Sequence, residues 1–116
     1  MIIPAGKENI AAVSTLAARV FHSPVEELAE EFNELIPSDT CAVFLLVLDG
    51  HAAGFAQCQL RHDYVEGTRS SPVGYLEGIY IQPEHRGQGH AKALLSSCEQ
   101  WAVGSGKGLY GVCQRL

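Results

Sequence analysis

The stretch Cys41-Ala42-Val43-Phe44-Leu45-Leu46-Val47-Leu48 is apolar at every position. A strand with one wet face alternates apolar and polar residues, so an unbroken run reads as a strand buried on both faces, with a layer packed above it and another below. Asp49-Gly50 follows at once as a two-residue turn signal, and His51 to Leu60 returns as the partner strand, with Gly54 inside it. A hairpin is expected, its first strand buried on both faces.

Ahead of the hairpin the apolar period changes. Ile10, Val13, Leu16, Ala17, Val20 and Phe21 recur at three- and four-residue intervals, which predicts a helix from Lys7 to near His22. Ser23 before Pro24 reads as a cap with proline in the first turn of a second helix, and Pro37 ends that helix. Val25, Leu28, Phe32, Leu35 and Ile36 share its apolar face, while Glu26, Glu27, Glu30, Glu31 and Glu34 fall on the opposite side. Met1 to Pro4 is a candidate first strand, and the polar Asp63 to Pro72 is a loop.

A third long strand follows in Gly74-Tyr75-Leu76-Glu77-Gly78-Ile79-Tyr80-Ile81, stopped by Pro83, which cannot donate to a ladder. Then come Arg86-Gly87-Gln88-Gly89-His90-Ala91 and a helical pattern through Ala91, Leu94, Leu95, Cys98 and Trp101. A strand, a glycine loop and a helix start make an anion site: the first N–H groups of a helix lack partners, the dipole is positive there, and glycines let an anion approach. Successive amides suit a pyrophosphate, to which Arg86 can add a charge-assisted hydrogen bond. A P-loop would need Lys and then Ser or Thr after the second glycine, where His90-Ala91 stands, and a dinucleotide fingerprint would need a third glycine where Lys92 stands. The pattern Arg/Gln-x-x-Gly-x-Gly/Ala does fit.

Composition narrows the function classes. The chain has 116 residues and a formal net charge of -5, so it is long enough for one domain, 1–116, and too acidic for a nucleic-acid surface. A cationic small molecule is the partner such charges suit. No apolar stretch approaches the ~20 residues of a membrane span, and no basic-then-apolar leader opens the chain, so a cytoplasmic protein is expected. Cys41, Cys58, Cys98 and Cys113 are far apart, with no Cys-x-x-Cys and no His at ligand spacing, so they read as buried free thiols and no metal site is expected.

Arg86-Gly87-Gln88-Gly89-His90-Ala91 resembles the acetyl-CoA pyrophosphate loop of the GNAT N-acetyltransferase superfamily. The order of elements is similar to that superfamily as well. The implied fold is α+β (an α/β three-layer arrangement): a mixed, mainly antiparallel central sheet flanked by helices, without the family's last helix and strands. Arg61-His62-Asp63-Tyr64-Val65, Ser70-Ser71-Pro72-Val73 and Leu76-Glu77-Gly78-Ile79 further resemble the aminoglycoside 6'-N-acetyltransferases.

The resemblance implies acetyl-CoA as co-substrate and a cationic amine as acceptor. It implies that the Tyr75–Ile81 strand splays at a bulge, so that Ile79, Tyr80 and Ile81 bind the pantetheine arm and one amide polarises the thioester carbonyl. Arg86, Gly87, Gln88, Gly89, His90 and Ala91 would hold the pyrophosphate, with His90 departing from the small residue usual at its position. Glu77 would be the catalytic carboxylate, holding the ammonium and taking its proton. Asp63 and Glu66 would bind substrate beside Glu77, with Glu26 and Glu30 as further acids. From Gly104 onward the glycine-rich sequence departs from the family, with a candidate strand at Leu109 to Cys113. A shortened end would leave a sheet edge open, which predicts a homodimer. Two function classes follow: an acetyltransferase, for an aminoglycoside or another small amine, or a non-catalytic GNAT fold that binds CoA weakly or not at all.

Overall fold

The computed structural model describes residues 1–61, 73–104 and 109–112. In chain order the elements are β1 (Ile2–Pro4), a 3-10 turn (Lys7–Asn9), α1 (Ile10–Phe21), α2 (Val25–Leu35), β2 (Cys41–Leu48) and β3 (His51–Arg61). Then follow β4 (Val73–Ile81), a second 3-10 turn (Pro83–His85), α3 (His90–Gly104) and β5 (Leu109–Val112). The strands form one five-stranded sheet in sequence order, antiparallel throughout except for the parallel β4–β5 pair.

The all-apolar β2 is covered on both sides, as its sequence requires. Cys41, Val43 and Leu45 join Val13, Leu16, Ala17, Phe21, Leu28 and Phe32 in a core under α1 and α2. Leu46 packs on the other face with Ala53, Ala56, Cys58, Leu76, Leu94 and Cys98, under α3. Leu48 pairs directly with His51, and Asp49 and Gly50 both take positive φ, 51° and 78°, so the predicted hairpin turns through those two residues.

Three local expectations are corrected. Lys7–Asn9 forms a 3-10 turn rather than the first turn of α1, held by the Gly6 N–H donating to Asn9 Oδ1 at 2.9 Å. Ser23 does not cap α2: its hydroxyl turns back to donate to the Phe21 carbonyl at 3.3 Å, and Pro24 takes the cap position, its carbonyl accepting from the Leu28 N–H at 3.1 Å. Val25 is 37% exposed rather than part of the apolar face of α2.

Three register shifts shape the sheet, one of them in the β4–β5 pair between Gly74 and Tyr75. Leu46 pairs with Gly54 but Val47 with Ala52, so Ala53 is an extra residue in β3. Gln57 pairs with Gly78 but Cys58 with Leu76, so Glu77 is an extra residue in β4. Such a bulge sets two residues of one strand against one of its partner and bends the bulged strand. On its far side β4 pairs with β5 only through Gly74, Tyr75 and Leu76. From Glu77 to Ile81 that edge of β4 has no partner strand among the described residues.

Candidate functional site

The free edge of β4 leads directly into the glycine loop. Gln82 is tied to the sheet by its N–H donating to the Ala53 carbonyl at 2.9 Å, and Pro83 opens the 3-10 turn that carries the chain to Arg86. Gly87 and Gly89 adopt φ of 77° and 84°, and a Cβ at either would meet nothing within 4 Å, so the loop is left-handed and open on its outer side. The Ala93 N–H makes the first bond of α3, to the Gly89 carbonyl at 3.2 Å. The N–H groups of His90, Ala91 and Lys92 precede that bond and are the unpaired donors of the helix start. His90 stays at the surface of this turn, its Nε2 3.3 Å from Gln88 Oε1.

Ile79, Tyr80, Ile81, Arg86 and Ala91 line one cavity of about 250 Å³. The structure therefore brings the residues expected to hold the pantetheine arm to the same place as two from the pyrophosphate loop. Arg86 also makes contacts of its own with β4. Its Nε donates to the Ile81 carbonyl at 2.8 Å and its guanidinium lies 5.4 Å from the centre of the Tyr80 ring. The side chain thus ties the loop to the end of β4 through Nε, and the guanidinium has further N–H donors on its two Nη atoms beside the backbone amides.

Glu77 is 1% exposed, at the bulge, where the β4 edge becomes free. Its charge reaches the α1–α2 side of the sheet: the Cys41 thiol is pushed up to about 12 by burial first, then by the negative charges of Glu77 and Glu31. Of the acids on α2, the one electrostatically close to this point is Glu31, half-buried, whereas Glu26 and Glu30 are exposed. The sequence placed Glu31 on the outer side with the other glutamates; its position three after Leu28 and beside Phe32 was the available signal for the helix margin. Asp63 and Glu66 lie outside the described residues.

Two further polar groups went unnoticed in the sequence. Gln57, 1% exposed, pairs in register with Gly78, next to the bulge, and neither its Nε2 nor its Oε1 makes a hydrogen bond. Ser14, on the inner face of α1, is 0% exposed and its Oγ is likewise without a partner. Neither residue type in that setting differs from an ordinary surface residue of a strand or helix until the register is known. On the α3 side, Cys58 donates to the Ala42 carbonyl at 3.6 Å, and its thiol is pushed up by a hydrogen bond with Cys98 and by burial. Cys41, Cys58 and Cys98 are free and buried. Among the described residues no group of His, Cys, Asp and Glu side chains could hold a metal ion, and no helix is long and apolar enough to cross a membrane.

Comparison with known proteins agrees with this geometry. The acetyltransferase (GNAT) family matches residues 10–113. The aminoglycoside N(6')-acetyltransferase type 1 of Stenotrophomonas maltophilia is 47% identical over 78 residues, covering 66% of this chain and 51% of the relative. The chain thus spans about half the length of that relative in the match. The apo crystal structure of the aminoglycoside 6'-N-acetyltransferase AAC(6')-IG of Acinetobacter haemolyticus superposes with a TM-score of 0.88 at 28% identity, over 97% of this chain and 78% of that one. AAC(6')-Iy, solved with the bisubstrate analog CoA-S-monomethyl-acetylneamine, gives a TM-score of 0.84 at 32% identity, over 97% and 76%. With a family match over residues 10–113 and a fold that superposes on these enzymes, this chain belongs to the GNAT acetyltransferase family.

Proposed function

We propose that this chain is an N-acetyltransferase that uses acetyl-CoA to modify the 6'-amino group of an aminoglycoside, by direct transfer with both substrates bound. One observation carries the reading: a buried carboxylate, Glu77, is the extra residue of β4 at the point where that strand's outer edge becomes free.

The residues present fit acetyl-CoA. Positive-φ glycines with open space beside them, the unpaired amides of His90, Ala91 and Lys92, and the cavity formed by Ile79, Tyr80, Ile81, Arg86 and Ala91 lie together at the end of β4, the cavity beginning two residues after Glu77. When bound, acetyl-CoA supplies the activated acetyl group. Backbone groups along Ile79 to Ile81, other than the Ile81 carbonyl that Arg86 engages, hold the pantetheine arm as a neighbouring strand would, and an amide there polarises the thioester carbonyl. Gly87 to Ala91 hold the pyrophosphate through their amides. Glu77 attracts the acceptor ammonium and takes its proton, directly or through water, which leaves a neutral nucleophilic amine. AAC(6')-Iy, solved with an analog that joins CoA to acetylneamine, supports an aminoglycoside acceptor, as do the relatives' names.

The test is to incubate the purified chain with acetyl-CoA and kanamycin or tobramycin and look by mass spectrometry for acetylated antibiotic. Product is expected. A folded sample that yields none would overturn the reading in favour of a non-catalytic member of the family.

A further inference from the structure

Among the described residues, Gln57 is a neighbour of Glu77 whose chemistry the acetyl-transfer reading leaves unused. It lies on β3, with Val43 of β2 on one side and Gly78 of β4 on the other. Directly paired residues share a face, and Val43 belongs to the core under α1 and α2, so the Gln57 side chain faces that side. The ring of Phe21 covers Gly78 from α1. Glu77 falls between the Gln57–Gly78 and Cys58–Leu76 pairs, so it is next along β4 to the residue that pairs with Gln57. Cys41, on the same face as Val43, feels the Glu77 charge. A carboxamide and a carboxylate, each 1% exposed, thus stand on neighbouring strands at the bulge.

Both polar atoms of Gln57 are buried without a hydrogen bond. Leaving such a group unpaired is costly, and buried polar groups are otherwise almost always paired with protein or with ordered water. A Leu or Met would fill the space more cheaply. Resting on the acetyl-transfer reading above, we propose that Gln57 is a positioning residue. Its carboxamide and the Glu77 carboxylate hold one water between them, and that water carries the acceptor's proton. The ammonium N–H gives its proton to the water oxygen as the water gives one of its own to a Glu77 oxygen, so water is regenerated and the amine is left neutral. Gln57 fixes the water and touches neither substrate.

Two measurements test this on the full chain. Gln57→Met keeps the length of the side chain and removes both polar atoms. The expected result is a kcat about tenfold lower, part of the ~100-fold or more that a general base supplies, with an unchanged KM for acetyl-CoA and an undiminished melting temperature. In a Glu77→Gln background the same substitution should cost nothing further. An unchanged kcat, or a fall in kcat that tracks a fall in melting temperature, overturns the proposal. Independently of turnover, the Gln57 side-chain NH₂ resonances should show cross-peaks to a long-lived water and should move on Glu77→Gln. If neither is seen, no shared water exists and the proposal fails. A wild-type chain without turnover would sink the acetyltransferase reading and the proton step with it, while the resonances would still decide whether Gln57 and Glu77 share a water.

Discussion

The ring of Phe21 fills the space that a side chain at Gly78 would occupy: a Cβ built there would meet Cζ at 2.5 Å and Cε1 at 2.7 Å. Phe21 is itself fixed edge-on against Phe55, with ring centres 6.3 Å apart. Gly78→Ala should therefore force α1 away from the sheet and cost about 1–3 kcal/mol, the usual range for overpacking a core. Denaturant midpoints would show it. Gly78→Ala combined with Phe21→Leu should recover part of the loss, and a Gly78→Ala protein as stable as the parent would mean that the helix shifts freely.

Glu77→Gln keeps the size of the side chain and removes its charge. Turnover should fall by about 100-fold or more while acetyl-CoA affinity stays within a factor of about two, because the general base acts in the transition state and the cofactor track is elsewhere. Steady-state kinetics paired with calorimetry separates the two quantities. A parallel fall in both would make Glu77 a structural residue.

The glycine loop offers its amides only while nothing stands in front of them. Gly89 has φ of 84° with open space beside its Cβ position, so Gly89→Glu carries a conformational cost of roughly 1–2 kcal/mol and sets a negative side chain at the anion site. Calorimetric titration with acetyl-CoA should give no measurable binding, whereas the thermal midpoint should drop only slightly. Retained affinity would remove the loop from the site.

Cys41 makes stability depend on alkaline pH. Its thiol rises from an ordinary 9.0 to about 12 in the folded chain, through burial and then the charges of Glu77 and Glu31. The folded state holds the proton where the unfolded state releases it, so this contribution is complete below 9.0 and is lost as pH rises from there to about 12. Unfolding free energies measured between pH 8 and 11 should decline in the parent, and decline less steeply in Cys41→Ala. Identical slopes would show that other groups govern the alkaline limb.

Much of this was legible in the sequence because it is local. Asp49-Gly50 encodes its own turn, the unbroken apolar Cys41–Leu48 run demands two covering layers, and Arg86 to Ala91 carry the anion loop in consecutive residues. The remainder depends on register. That Glu77 is an extra residue follows only from which residues of β3 and β4 pair, and the burial of Gln57 and Ser14 only from which way their elements face. The failure of Ser23 as a cap has the same origin: left-handed His22, with φ of 53°, turns the chain so that the hydroxyl meets the end of α1 instead of the start of α2. The use of Arg86 as a clasp was hidden because Ile81 and Tyr80 meet it only after the 3-10 turn brings the chain back.

The shift at Glu77 has a consequence for how the strand is composed. Leu76, Ile79 and Ile81 face α3, while Gly78 and Tyr80 face α1. Were residue 77 deleted, Leu76 would be followed by Gly78, and inward and outward sides would alternate without a break from Tyr75 to Ile81. The sheet would close over the deletion with each apolar residue on its present face. Residue 77 is thus an insertion that the architecture does not require, and a chain shortened by that one residue should keep its fold while losing the carboxylate and the bend around which its chemistry is arranged.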